Sequence, residues 1–329
     1  MTILGNHDML VISIWRYWMK LRIAVILFFS FIFFSLNPLI SDAQTSNHLQ
    51  TIWGDPDLQG IWSYATVTPL QRPDNIKSKF FTPEEVATWN ARAKADRPDR
   101  PGVDPGAYNA FWVDRGEVLP DRRTSQIIDP SNGQLPLNEK GQEQVLSLRK
   151  HRKEHPADSW LDRSAWDRCI TYHGVPPVGT SYNNTYHILQ TQEYVAIHVE
   201  NIHDVRIIPL DRRPHLSDKI RQWNGDSRGY WEGNTLVVET INYSDKTELR
   251  FPSTPKTRSV ERFTRIDQNK IDYQFTIEDE TIYTQPWTVE RPMPRMSDYV
   301  IYEYACHEGN YAMSNILAGE RERERKNKK

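Results

Sequence analysis

Cysteine is scarce: Cys169 and Cys306 are the only two in 329 residues. That excludes a small disulfide scaffold and the paired Cys-x-x-Cys ligand sets of structural zinc sites. An excess of either charge is also missing, with 41 basic against 43 acidic side chains and a formal net charge of −2. A strongly basic nucleic-acid binder and a charge-biased disordered tail are therefore excluded. No apolar run reaches the roughly 20 residues that cross a bilayer as an ordinary helix. Absent too are a P-loop, a dinucleotide-binding Gly-rich fingerprint, a His-Glu-x-x-His helix and a Gly-x-Ser-x-Gly elbow. Aromatic residues, in contrast, are plentiful. Eleven Trp, fifteen Tyr and eleven Phe can build a large core or line a pocket.

Lys20 and Arg22 precede an apolar stretch over residues 23–36, and Ser41 and Ala43 follow in a small-x-small arrangement. Charge, short apolar core and cleavage site in that order describe a secretory signal peptide. Residues 1–43 are read as that signal, with Met19 as an alternative start. The expected location is periplasmic or secreted, with no stable membrane span after cleavage. In an oxidising compartment Cys169 and Cys306 are expected to pair. Their bond would bring residues 167–173 beside residues 303–310.

Residues 44–158 read as an irregular and helical front segment packed on the main domain. Within it, residues 60–67 form a short strand candidate. Thr82-Pro83-Glu84-Glu85 combines a cap, a proline at the first helical position and acids in the first turn. It introduces a helix of about 12 residues ending near Ala95. Residues 96–136, dominated by Pro, Gly, Asp and Arg, read as a surface loop or lid. A second, charged helix is expected over 138–153, ended by His155-Pro156.

Residues 159–329 read as a β-rich ligand or catalytic domain. Strands are expected over 186–189, 193–200, 204–210, 227–231, 235–240, 259–266, 270–278 and 281–289. Glu232-Gly-Asn234 and Asp267-Gln-Asn269 are short polar turns suited to hairpins. This meander implies a mainly β fold: an antiparallel, lipocalin-like β-barrel with N-terminal helices and long loops, or alternatively a β-sandwich.

The opening Gly60-Ile-Trp62 resembles the Gly-x-Trp start of lipocalin and avidin-like barrels. A broader resemblance rests on Trp166-Asp-Arg-Cys169, Ile202-His-Asp-Val-Arg-Ile-Ile-Pro-Leu210 and Ile220-Arg-Gln-Trp-Asn-Gly-Asp-Ser-Arg228. Trp231-Glu-Gly-Asn-Thr-Leu-Val-Val-Glu-Thr240 and Tyr302-Glu-Tyr-Ala-Cys-His-Glu-Gly-Asn310 extend it. These stretches are similar to a widespread family of exported, mostly uncharacterised bacterial proteins. The resemblance implies export and supplies no catalytic role.

Candidate chemistry comes from polar residues near the expected strands. Two-residue periodicity puts Tyr194, Ala196, His198 and Glu200 on one face, with Val195, Ile197 and Val199 on the core face. His198 is a candidate proton acceptor and Glu200 its orienting or partner acid, because imidazole titrates near neutral pH. His203 could return to the same mouth. Asp204 could fix a histidine tautomer or pair with Arg206, and Arg206 could clamp a carboxylate or enolate oxygen. Tyr182, Asn184, Tyr186 and His187 are candidate substrate contacts. Trp223 is a candidate pocket wall, and His307 is a catalytic candidate held near the other cluster by Cys306.

The reading is an exported lyase, isomerase or cyclase using His/Glu acid–base chemistry on a small, partly apolar molecule. A noncatalytic small-ligand carrier and a glycan-binding structural protein are alternatives, as is a metal-dependent enzyme using His187, His198, His203 and His307 with Glu200 or Glu308. No metal-ligand spacing is diagnostic and no motif specifies a cofactor, so neither is assigned. Nucleic acid is not an expected partner.

Overall fold

Hydrophobic alternation, short turns and two well-capped helices generate the architecture seen in the computed structural model, which describes residues 49–95, 113–172, 174–179 and 182–328. The signal-peptide reading of residues 1–43, residues 96–112 of the expected loop, and His173 lie outside the described residues. Among the described residues no helix is long and apolar enough to cross a membrane.

The front segment supplies β1 (Gly60–Ser63), α1 (Pro83–Lys94), β2 (Ile127–Asp129) and α2 (Glu139–Glu154). Local chemistry sets both helix starts. The Thr82 hydroxyl accepts from Glu85 N at 3.2 Å while the Glu85 carboxylate accepts from Thr82 N at 2.8 Å, a reciprocal capping box. Asn138 Oδ1 accepts from Gly141 N at 3.0 Å at the head of α2.

Eight further strands follow: β3 (Thr185–Gln190), β4 (Tyr194–Val199), β5 (Val205–Pro209), β6 (Asp226–Glu232), β7 (Thr235–Ile241), β8 (Arg258–Asp267), β9 (Lys270–Glu278) and β10 (Trp287–Pro294). They form two antiparallel sheets, ordered β1-β3-β4-β5 and β2-β10-β9-β8-β7-β6. The front segment is thus woven into both sheets rather than laid over them. Ile61 pairs with His187 in the first sheet, and Ile127 pairs with Val289 in the second.

Inward-pointing residues of the two sheets share one core. Trp62, Tyr186, Ile188, Val195 and Ile197 from the first join Leu236, Val238, Phe263, Phe275 and Trp287 from the second. Each fully buried Leu, Ile or Phe contributes about 1.5–3 kcal/mol relative to an exposed one. Phe251 and Phe275 meet Trp287 edge-on, with ring centroids 4.9 and 5.8 Å away, the arrangement that ring quadrupoles favour.

The structure is mainly β with two antiparallel sheets, consistent with a sandwich-like arrangement, and no closed lipocalin-like barrel is found among the described residues. At one edge β1 and the end of β10 form no ladder and meet through an isolated Trp62–Arg295 bridge and a 2.9 Å bond from Met296 N to Ile61 O. At the other edge no ladder joins β5 to β6 among the described residues. Pro209 lacks a donor there, and the chain runs outside both sheets until Asp226. Side chains fill the seam instead: Gly229 of β6 lies so close to Ile208 that an added Cβ would sit 2.8 Å from its Cγ2.

The strand expected over 281–289 is displaced to Trp287–Pro294. Asp279 claims the earlier residues for a turn, accepting through its backbone oxygen from Ile282 N at 3.2 Å and Tyr283 N at 2.9 Å. Pro292 and Pro294 are tolerated in β10 because β2 pairs only with Thr288 and Val289 and the last contact on that edge is Glu290 N to Gln126 O at 3.3 Å, before either proline. The C-terminal helix α3 (Ala312–Asn327) was not expected. It buries no residue, and Glu/Arg pairs three apart, such as Glu320–Arg323 at 2.6 Å, reinforce it.

Candidate functional site

The end of β4 creates an unusual turn. Glu200 leaves the strand with helical dihedrals (φ −59°, ψ −40°), and Ile202 and His203 follow with φ of 61° and 47°. Left-handed backbone at two successive non-glycine residues is costly and clusters at ligand sites. Asn183 (φ 52°) and Cys169 (φ 54°) share that conformation nearby in the chain's polar segments.

The turn corrects the expected face shared by Tyr194, Ala196, His198 and Glu200. Glu200 rotates inward and is only 1% exposed, whereas His198 stays on the outer side of the first sheet. There His198 lies directly across from His187 in the β3–β4 pairing. No hydrogen bond joins His198 to Glu200 among the described residues. Burial, then the neighbouring His187 and His203, push the His198 pKa below the ordinary imidazole value.

Glu200 instead meets two hydroxyls. Thr185 Oγ1 donates to Oε2, and Tyr299 Oη donates to Oε1 at 2.5 Å. Desolvation first, and then the Glu200 carboxylate, raise the Tyr299 pKa well above the ordinary phenol range. Tyr299 is therefore protonated at neutral pH, a donor held against a buried acceptor.

Tyr299 opens onto a cavity of about 880 Å³. Trp166, Tyr182, Tyr302 and Tyr304 give it an aromatic wall, and Asp114, Asp167 and Glu303 add carboxyl groups. Desolvation, opposed by a backbone hydrogen bond from Gly116 and reinforced by the charge of Glu200, raises the Asp114 pKa from its ordinary value. Asn184 fixes this strand of the wall: it is fully buried and its Nδ2 donates to Asp114 O at 2.7 Å.

The disulfide assembles the far side. Cys169 and Cys306 are bonded, with Cα atoms 5.8 Å apart, as the cysteine count leads one to expect. Trp166 Nε1 donates to Tyr304 Oη at 3.2 Å across this junction. His203 Nδ1 donates to Tyr304 O at 2.8 Å, which fixes its tautomer and engages it with the backbone. His307 is exposed beside Cys306 and is not part of the cavity wall.

The remaining candidates divide by location. Tyr182 lines the cavity. Tyr186 points into the inter-sheet core with no exposure. Trp223 lies outside the cavity wall, where the Arg168 guanidinium sits 5.6 Å from its ring centroid. Arg206 is turned away from any mouth: it is 6% exposed and contacts Glu261 at 2.5 Å. Burial alone would lower its pKa, but the Glu261 charge outweighs this and raises it. Asp204 accepts from Asn224 Nδ2 rather than from Arg206.

Asp114, Trp166, Tyr299 and Tyr304 are the site residues that periodicity did not single out. Asp114 carries no sequence signal, and the others carry aromatic density beside the two cysteines: Trp166 near Cys169, and Tyr299, Tyr302 and Tyr304 near Cys306. Among the described residues no group of three or more His, Cys, Asp or Glu side chains gathers as a metal site. Comparison with protein-family models, curated proteins and solved structures finds no match.

Proposed function

We propose that the protein is an exported isomerase or lyase that moves a proton on a small, partly apolar molecule, with Tyr299 as the proton-transferring group and Glu200 behind it. The observation that carries this reading is the 2.5 Å bond from Tyr299 Oη to the buried Glu200 carboxylate at the wall of an aromatic cavity. A substrate proton passes to Tyr299 Oη as Tyr299 gives its own to Glu200. Return of that proton to a second substrate carbon gives isomerisation; its delivery to a departing oxygen gives elimination. Periplasmic or secreted location fits the disulfide, since such bonds persist in oxidising compartments.

The test is to incubate the disulfide-bonded protein with metabolite pools and follow products by mass spectrometry. Glu200→Gln and Tyr299→Phe are expected to lower turnover of an identified substrate by about 10²–10⁴-fold while leaving its binding in place. Wild-type turnover in both variants would remove the pair from the chemistry. A molecule bound and returned unchanged by the wild-type protein would make the cavity that of a carrier, the reading its aromatic wall favours.

A further inference from the structure

Trp166 lines a second cavity as well as the one described. This space, about 840 Å³, is formed by α2 and residues 245–253, with Tyr172 and Phe251 among its walls. Its cations are Arg149, Arg152, Lys246 and Arg250; its acids are Asp245 and Glu248. Glu248 approaches Arg152 at 3.9 Å. Arg149, Lys246 and Arg250 have no carboxylate partner among the described residues, and the Arg250 guanidinium lies 5.9 Å from the Tyr172 ring centroid. Arg258, by contrast, is matched by both Glu239 and Glu278.

Beside these cations stands a flat aromatic surface. Tyr172 stacks on Trp166 with ring centroids 4.7 Å apart and planes 29° from parallel. The charge is opposite to that of the Tyr299 cavity, where Asp114, Asp167 and Glu303 contribute acids. One tryptophan therefore separates a basic cavity from an acidic one.

We propose that the basic cavity is a second ligand site, selective for ring-bearing carboxylates. The apolar ring packs against the Trp166–Tyr172 stack, and the carboxylate is held by Arg149, Lys246 and Arg250. Among the described residues the neighbouring cavity offers an anionic group no lysine or arginine and lines it with acids instead, so the two sites differ in the charge they accept. This assignment stands independently of the acid–base role of Tyr299.

The experiment is calorimetric titration of the disulfide-bonded full chain with naphthalene-1-acetate and with its neutral amide. The acid is expected to bind about tenfold or more tightly than the amide at low salt, with the gap narrowing as ionic strength rises. An Arg149→Gln/Arg250→Gln double variant is expected to weaken the acid to the level of the amide and leave the amide unchanged. Both side chains are exposed, so the variant keeps the fold, and an unchanged melting curve verifies this. Trp166→Phe should weaken acid and amide together, while Tyr299→Phe should alter neither. Equal affinity for acid and amide, undiminished acid binding by the double variant, or no binding of either probe at millimolar concentration would overturn the proposal.

Discussion

Arg206 of β5 and Glu261 of β8 form an ion pair between the two sheets, their side chains 5% and 0% exposed and the closest N–O approach 2.5 Å. Among the described residues it is the one ion pair buried to that extent on both sides. Ser227 Oγ accepts from Arg206 at 3.2 Å, and Tyr273 Oη donates to Glu261 at 2.8 Å. Both charges thus gain further hydrogen bonds, although the buried Nε of Arg206 has no partner among the described residues.

Breaking this pair from one side should therefore cost far more than removing it. Arg206→Met or Glu261→Leu alone is expected to destabilise by about 3–5 kcal/mol, because each leaves a buried charge uncompensated. The double variant should recover much of that loss. Urea unfolding of the four proteins checks the cycle, and additive losses would contradict the coupling.

Alanine in place of a helical glycine usually stabilises by up to about 1 kcal/mol. Gly141 of α2 should behave in the opposite way. A Cβ there would lie 2.3 Å from Ile282 O and 2.9 Å from Leu137 Cδ2. Gly141→Ala is expected to destabilise by about 1–3 kcal/mol through overpacking. Gly319 of α3, with nothing within 4 Å of its added Cβ, should show the ordinary stabilisation. Thermal melts of the two variants compare the signs directly.

Reduction of Cys169–Cys306 opens a loop with a sequence separation of 137. The chain-entropy model assigns such a crosslink about 4–5 kcal/mol. A Cys169→Ser/Cys306→Ser variant should melt at lower temperature. It should also lose ligand affinity at the Tyr299 cavity, since Cys306 and Tyr304 form part of its wall. Unchanged affinity in a folded double variant would show that the wall holds without the bond.

The pH dependence of His198 has a definite sign. Its native pKa is depressed below the ordinary 6.5, mainly by desolvation and then by His187 and His203. Between the native value and 6.5 the unfolded chain carries more protons than the folded one, so stability rises with pH across that window. It is fully present above 6.5 and is lost as pH falls through the window. NMR titration should find His198 below the free-imidazole value, and His198→Gln should flatten the fall in urea midpoint as pH drops below 6.5.

What could be read in the sequence was local. Thr82, Pro83 and Glu85 fix the start of α1 through contacts three residues apart. Gly233, with φ of 57°, makes the β6–β7 turn that the Glu232-Gly-Asn234 segment implies. The disulfide follows from the presence of only two cysteines. Longer-range features were hidden. Alternation carries His198 and Glu200 to one face only while the strand continues, and the strand ends at Val199, before Glu200 takes up helical dihedrals. Tyr299 lies on no periodic element, so nothing adjacent signals its reach to Glu200. The helix α3 has no apolar stripe to reveal it, because its support is charge pairing along its own surface.

The interweaving of the front segment has a consequence for the order of folding. During synthesis Ile61 emerges long before its neighbour His187, and Ile127 long before Val289. Neither sheet can gain its front strand until most of the chain is available, so loop closure precedes the contacts that reward it. Folding should be slow, in the millisecond-to-second regime of chains dominated by non-local pairing. The last-made strand β10 completes the sheet containing β2, so the chain acquires its full structure only once nearly all of it has been made.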